Sequence, residues 1–495
     1  MKNTLKYIII ISLVVFSSAC DLLTETPVDR FVIDNFYSSE TDAQAAVDAI
    51  YARIGAGYYE RIFFLVADLP ADDYKNGGGM SNSFLQDIEY YRQTSENEFI
   101  KRVWRESYDG IGRANVAINR IPDVTMNDDL KNRLMGEASF IRALLYFNLV
   151  RWFGGVPIVT KIESIDDALI NRASVEEVYS LIKSDLAFAA KNLPVSYPDK
   201  DAGRATQGAA KTLLGKVQLT LKEWPAAVST LSEIVNNEGG YGYGLNENFR
   251  ANWEVETEHG IETIFTINFS EPPGNGNQMM QGIGPKYSMP GGKLPGLSTS
   301  WEADIPTMEV YNLFEDGDER KDATFRTEFI SPKNGKTYTS SIPLFYKYFE
   351  EGEAICKNSD NNVQVLRYAD VLLMLAEALN ETGKPEMARP LINRIRERAF
   401  NNSDHNIPSM GQDEMRTAIY KERRLELVHE GHRWFDLIRT GRLVKRMKEH
   451  AAIEAQLAEP EKISIANNIK DYHNLMPIPQ HEIDLNPEIQ QNPGY

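Results

Sequence analysis

The sequence predicts a mostly α chain: a tetratricopeptide-like helical-repeat scaffold joined to a loop-rich, irregular half. Three observations predict it. Apolar residues recur at three- and four-residue spacing over 42–54, 104–121, 132–153, 175–193, 206–222, 225–235, 368–381 and 386–399, the pattern of helices with one buried face. Two helix pairs share a register, because Gly215, Ala227 and Leu231 keep the spacing of Ala376, Ala388 and Ile392. Small residues at those crossings let antiparallel helices approach closely, as in tetratricopeptide units. Between the helical stretches, 60–100 and 241–363 are rich in Gly, Asn, Ser, Pro and aromatics, which are turn signals rather than helix signals.

The chain opens with Lys2 and Lys6, then an apolar run over 8–16. That run is shorter than the ~20 residues of a spanning helix, so it reads as a targeting segment. Ser17, Ser18 and Ala19 put small residues directly before Cys20. The arrangement resembles the lipobox of bacterial lipoproteins, which implies cleavage before Cys20 and acyl chains on it. Several chains anchor stably where one does not. The expected organisation is a signal peptide over 1–19, a lipidated tether over 20–30 and a single domain over 31–495. Within that domain a helical-repeat part with an inserted loop spans 31–240, the loop-rich part 241–363, and a C-terminal helical part with its tail 364–495.

Of the 495 residues, 42% are apolar and 25% charged, and 53 basic against 71 acidic residues give a net charge of −18. A field of that sign repels phosphate backbones, so no nucleic-acid partner is expected. The second cysteine, Cys356, has no partner if Cys20 is acylated and reads as an inert thiol.

Motifs for chemistry are weak. His429 and His432 lie three apart, whereas the zinc-protease helix needs histidines four apart, so no metal and no cofactor are expected. The acidic run 315–319 lacks the alternating oxygens of a calcium loop and reads as a solvated turn. No Gly-x-Ser-x-Gly elbow appears, and no carboxylate pair stands out for glycosidic cleavage. Catalysis is not supported.

The loops do carry material for stacking and hydrogen bonding. Sugar rings offer C–H faces to aromatic planes and hydroxyls to Asp, Asn and Arg. The first loop holds Tyr58, Tyr59, Arg61, Asp72, Asp73, Tyr74, Asn76, Asn82 and Phe84; the second holds Met279, Met280, Tyr287 and Trp301. The candidate ligand-binding residues are Arg61, Asp72, Asp73, Tyr74, Asn76, Asn82, Tyr287 and Trp301. Trp104, Trp152, Trp253 and Trp434 lie in or beside periodic segments and are expected in the core.

Several stretches together resemble the SusD/RagB family of Bacteroidetes outer-membrane lipoproteins. They are the segment ending in Cys20, the run from Arg142-Ala143-Leu144 to Gly154-Gly155-Val156-Pro157, and Gly203-Arg204-Ala205-Thr206. Further on come Leu366-Arg367-Tyr368-Ala369-Asp370, Glu422-Arg423-Arg424-Leu425-Glu426 continuing to Arg433-Trp434-Phe435-Asp436, and a terminus of Met476-Pro477-Ile478-Pro479 and Asn492-Pro493-Gly494-Tyr495. The resemblance implies a tetratricopeptide-like fold with a loop-rich ligand-binding half and no enzyme activity. It implies capture of a glycan, or of a peptide in some members, for a SusC-like TonB-dependent transporter, with the chain anchored to the outer membrane through acyl chains on Cys20. It puts the ligand loop after 68–73 and a second wall before Trp301, and makes Arg424, Arg433, Trp434 and Asp436 buried structural groups. Gly77, Gly78 and Gly79 stand where aromatics would be expected. A repeat module that holds only a protein segment is the alternative from another class.

Overall fold

The computed structural model describes residues 36–77, 82–161, 169–270, 276–457 and 460–495; Cys20 and the tether lie outside them. Fifteen helices organise the description: α1 (Glu40–Ile54), α2 (Ile62–Ala67), α3 (Ser83–Glu89), α4 (Glu98–Arg120), α5 (Asp128–Phe153), α6 (Val175–Asn192), α7 (Gln207–Thr220), α8 (Trp224–Asn236), α9 (Met279–Ile283), α10 (Met308–Tyr311), α11 (Tyr368–Glu381), α12 (Pro385–Phe400), α13 (Gln412–Glu426), α14 (Arg433–Arg439) and α15 (Leu443–Gln456). The strands are β1 (Tyr74–Asn76), β2 (Thr263–Ile267), β3 (Asp304–Pro306), β4 (Phe325–Ile330), β5 (Thr337–Phe345) and β6 (Val363–Arg367).

Local chemistry starts the long helices where they start. Asn97 accepts from the N–H groups of Phe99 and Ile100 to open α4, Asn127 does the same for α5, and Ser174 with Glu177 forms a capping box on α6, satisfying donors the helix leaves orphaned. From Leu134 onwards α5 is buried almost all round, as a helix packed on both sides must be: α4 lies on one side and α6 on the other. The stack then runs α6 on α7, α7 on α8, α8 on α11 and α11 on α12, a tetratricopeptide-like succession of antiparallel pairs.

The register seen in the sequence is physical. A Cβ on Gly215 would come within 2.4 Å of Leu231, and Ala376, Ala388 and Ile392 are buried at the equivalent crossing. Gly215→Val is expected to destabilise the protein by about 1–3 kcal/mol through overpacking, read from urea unfolding.

The loop-rich half contains three two-stranded sheets, β1–β3, β2–β6 and β4–β5. It is less irregular than the sequence suggests: 60–100 includes α2 and α3, and β6 runs directly into α11. Trp104, Trp152, Trp253 and Trp434 are buried. Cys356 is free and buried, and burial pushes its thiol up to about 11. The acidic run is not a solvated turn throughout. Asp318 is buried on Arg320, 2.8 Å away, because that fully buried guanidinium needs counter-charge.

Two buried ion clusters join the halves. In one, Arg433 holds Asp72 at 2.7 Å and Arg424 holds Asp73 at 2.6 Å, while Arg446 bonds Asp72 and Glu309. In the other, Glu426 receives Arg398 at 2.6 Å, Arg367 at 3.0 Å and Arg320 at 3.1 Å. Burial disfavours ionisation of Glu309, yet His450, Arg424 and Arg446 hold its carboxyl at about 2 against an ordinary 4.5. A carboxyl whose pKa is depressed by folding contributes stability above its unfolded pKa and loses it as pH falls through the folded one. Stability is therefore expected to drop between pH 4.5 and about 2, followed as urea midpoints down through that window.

Candidate functional site

The two loops singled out by their aromatics meet. β1 pairs antiparallel with β3, Tyr74 opposite Pro306 and Asn76 opposite Asp304. The pairing extends one residue further, where the Gly77 N–H donates to the Ala303 carbonyl at 2.6 Å. A Cβ at Gly77 would lie 2.1 Å from the Glu302 carbonyl oxygen. Gly77 is thus required by close backbone approach, and no aromatic could stand there. Gly78 and Gly79 lie outside the described residues.

Trp301 sits at this junction, half-buried, on a rigid support. Its N–H donates to the Gln281 carbonyl and the Ala303 N–H to the Gly282 carbonyl, both at 2.8 Å. The Arg61 guanidinium lies 4.8 Å from the Trp301 ring centroid, a cation–π distance. Arg61 in turn makes a two-point bond with Asp304, at 2.6 and 3.1 Å, and the Tyr74 hydroxyl donates to the same carboxylate. Burial, then Asp304, pushes the Tyr74 phenol well above 10, so it remains a donor. A Cβ at Gly282 would meet Asp304 at 2.0 Å and Arg61 at 2.7 Å, so glycine is what lets α9 close over the pair.

Glu302, next in sequence, is buried and adopts a left-handed backbone with φ 48°, an unfavourable conformation for a side-chain-bearing residue. Its carboxylate accepts from the N–H of Lys286 at 2.6 Å and from the N–H and hydroxyl of Ser288 at 3.0 and 2.8 Å. Those donors flank Tyr287, which is 55% exposed and has the Lys286 ammonium 4.6 Å from its ring centroid. One residue therefore ties the Tyr287 loop to the Trp301 platform. Glu302→Ala is expected to free that loop, raising amide hydrogen exchange at 286–288 by about tenfold or more while the helical stack keeps its protection.

The remaining candidates fall into two groups. Asn76 and Asn82 are half-buried at the rim, and Asn82 caps α3 by accepting from the Phe84 N–H at 2.9 Å. The expectation that Arg61, Asp72, Asp73 and Tyr74 offer polar groups at an open loop surface is corrected: all four are buried. Asp72 and Asp73 neutralise Arg424, Arg433 and Arg446, so they brace the loop from behind. Tyr58 and Tyr59 are also inside, both receiving a bond from Asn148. Sequence reasoning missed Asp304 and Glu302; for Glu302 the available signal was an acid directly after Trp301.

The paired histidines serve packing. His429 stacks on Phe345 with centroids 4.0 Å apart, and His432 Nδ1 lies 3.1 Å from Lys216. Among the described residues, no group of three or more His, Cys, Asp or Glu is arranged to hold a metal ion, and no helix is long and apolar enough to cross a membrane.

Comparison with known proteins bears on this architecture. The model of the SusD family matches residues 330–495, and one described as starch-binding associating with outer membrane matches residues 32–219. SusD-like protein P38 of Formosa agariphila is 30% identical, over 90% of this chain and 93% of the relative. A solved laminarin binding SusD-like protein is 30% identical with a TM-score of 0.78, covering 93% of this chain and all of that one. Surface glycan-binding protein A from Bacteroides fluxus shares the fold, at 23% identity and a TM-score of 0.77 over 92% of this chain and 100% of its own. The helical stack and these matches along most of its length agree: the chain belongs to the SusD family.

Proposed function

We propose that the protein captures an oligo- or polysaccharide at the face built by Trp301 and Tyr287 and delivers it to a partner TonB-dependent outer-membrane transporter. The observation that carries this reading is a half-exposed tryptophan fixed from behind by Arg61 and Asp304, with an exposed tyrosine whose two neighbours in sequence are held by the next residue, Glu302. Aromatic planes held rigid before the ligand arrives lose little entropy on binding. The side-chain amides of Asn76 and Asn82 are assigned to sugar hydroxyls, while Arg61 holds the ring from behind. The laminarin-binding relative makes β-glucan the first polymer to try. Cys20, outside the described residues, is assigned the acyl anchor, which would leave the folded part at the cell surface. The role is binding without catalysis.

Isothermal titration calorimetry against laminarin and a panel of other oligosaccharides tests the capture step. Saturable heat with one ligand class, and no release of reducing ends, is the expected outcome. Affinity purification from outer membranes tests the delivery step: co-purification of a TonB-dependent transporter supports it, and recovery of the chain alone contradicts it.

A further inference from the structure

A cavity of ≈260 Å³ opens between α5, α6, α7, α11 and α14, and none of the residues of the aromatic face lines it. Its wall is largely hydrocarbon, from Val150, Tyr179, Leu219, Met374 and Leu475. The charged residues lining it are unbalanced: Arg151, Lys216, Arg423 and Arg439 face Asp436. Two further carboxylates serve the cluster from behind. Asp370 binds Lys216 at 3.0 Å and Arg423 at 2.8 Å, and Glu377 binds Arg439.

Among the described residues lining the cavity, Arg151 is the cation with no carboxylate in direct ion-pair contact; Asp436 acts on it only from a distance. Its Nε donates to the Phe147 carbonyl at 3.1 Å and its Nη2 to Asn148 at 2.5 Å. Its plane is packed by the rings of Phe147 and Phe435, with centroids 4.0 and 3.8 Å away. Among the described residues Nη1 has no hydrogen-bond acceptor, and Arg151 lines the cavity. The carbonyls at the C-terminal turn of α5 supply a fraction of a negative charge, which leaves the balance positive. Burial lowers the Arg151 pKa to about 10; it also lowers that of Lys216, to which Arg151 adds repulsion. A guanidinium in such surroundings is costly without an anion, and a purely inorganic anion would leave the apolar wall unused.

We propose that this cavity binds a small organic carboxylate, its anionic end at Arg151 and Lys216 and its hydrocarbon body against Tyr179, Leu219 and Leu475. The site is separate from the aromatic face and does not depend on the glycan reading. Its size, below that of most drug-sized pockets, suits a branched-chain or aryl monocarboxylate.

The test is calorimetric titration of the purified protein with benzoate and 3-methylbutanoate, beside benzamide and inorganic phosphate. Saturable binding of a carboxylate, about tenfold or more tighter than the neutral amide, is expected. Two variants locate it: Arg151→Met removes the charge, and Leu219→Trp fills the cavity while leaving every cation in place. Each is expected to weaken carboxylate binding about tenfold or more. If Arg151→Met fails to fold, Leu219→Trp and the acid–amide comparison still decide. Absence of carboxylate binding, equal binding of acid and amide, or undiminished binding by Leu219→Trp overturns the proposal.

Discussion

Glu426→Ala is expected to cost about 3–5 kcal/mol, a large share of the ~5–15 kcal/mol that separates folded from unfolded domains. Glu426 is fully buried and accepts from Arg398, Arg367 and Arg320. Burial opposes its ionisation, but these three guanidiniums hold its carboxyl well below the ordinary carboxylate range. Removing it leaves Arg320, Arg367 and Arg398, together with Lys347 and Arg396, to share the four carboxylates of Glu262, Glu422, Glu430 and Asp318. Breaking one partner of a buried cluster is far more damaging than replacing the whole cluster with apolar groups. Glu426→Gln keeps the volume and is expected to lose much of the same stability, because it is charge that is missing. Asp413, an exposed partner of Arg416, is the control, expected to change stability by less than about 1 kcal/mol when replaced by Ala. Urea unfolding compares them; a Glu426→Ala midpoint near wild type would show that the cluster does not hold the halves together.

Trp301→Ala is expected to weaken glycan binding by about 1–3 kcal/mol, roughly 5- to 150-fold in Kd, with little change in the unfolding midpoint. The ring is half-exposed, so its loss opens little core, and Arg61 keeps its two bonds to Asp304. Trp301→Phe should recover part of the affinity, because a smaller plane still offers a stacking face. Tyr287→Ala should lose less than Trp301→Ala, since the Tyr287 ring rests on one loop. Titration of the three variants with the same glycan separates these outcomes.

The helical half was legible because helices write their period into the sequence. The eight predicted segments lie within a few residues of α1, α4, α5, α6, α7, α8, α11 and α12, and Gly215 even marks a crossing. Helix α2 was hidden because Ile62-Phe63-Phe64-Leu65-Val66-Ala67 is apolar without interruption and buried on every side, so no polar face reports its period. Asp72 and Asp73 misled for a different reason. Their guanidinium partners, Arg424 and Arg433, lie some 350 residues further on, and no spacing rule links such distant charges. Trp301 and Tyr287 stood out as aromatics among Gly and Pro. Glu302 did not, because its partners are two backbone N–H groups, which every non-proline residue carries, and one serine hydroxyl.

Native affinity electrophoresis of the wild type and Trp301→Ala, side by side through gels containing laminarin or other polysaccharides, bears most directly on the aromatic face. Retardation of the wild type in one polymer, lost in Trp301→Ala, is the expected result. Equal retardation of both proteins would place glycan binding elsewhere on the molecule, and free migration of the wild type in every gel would contradict polysaccharide capture.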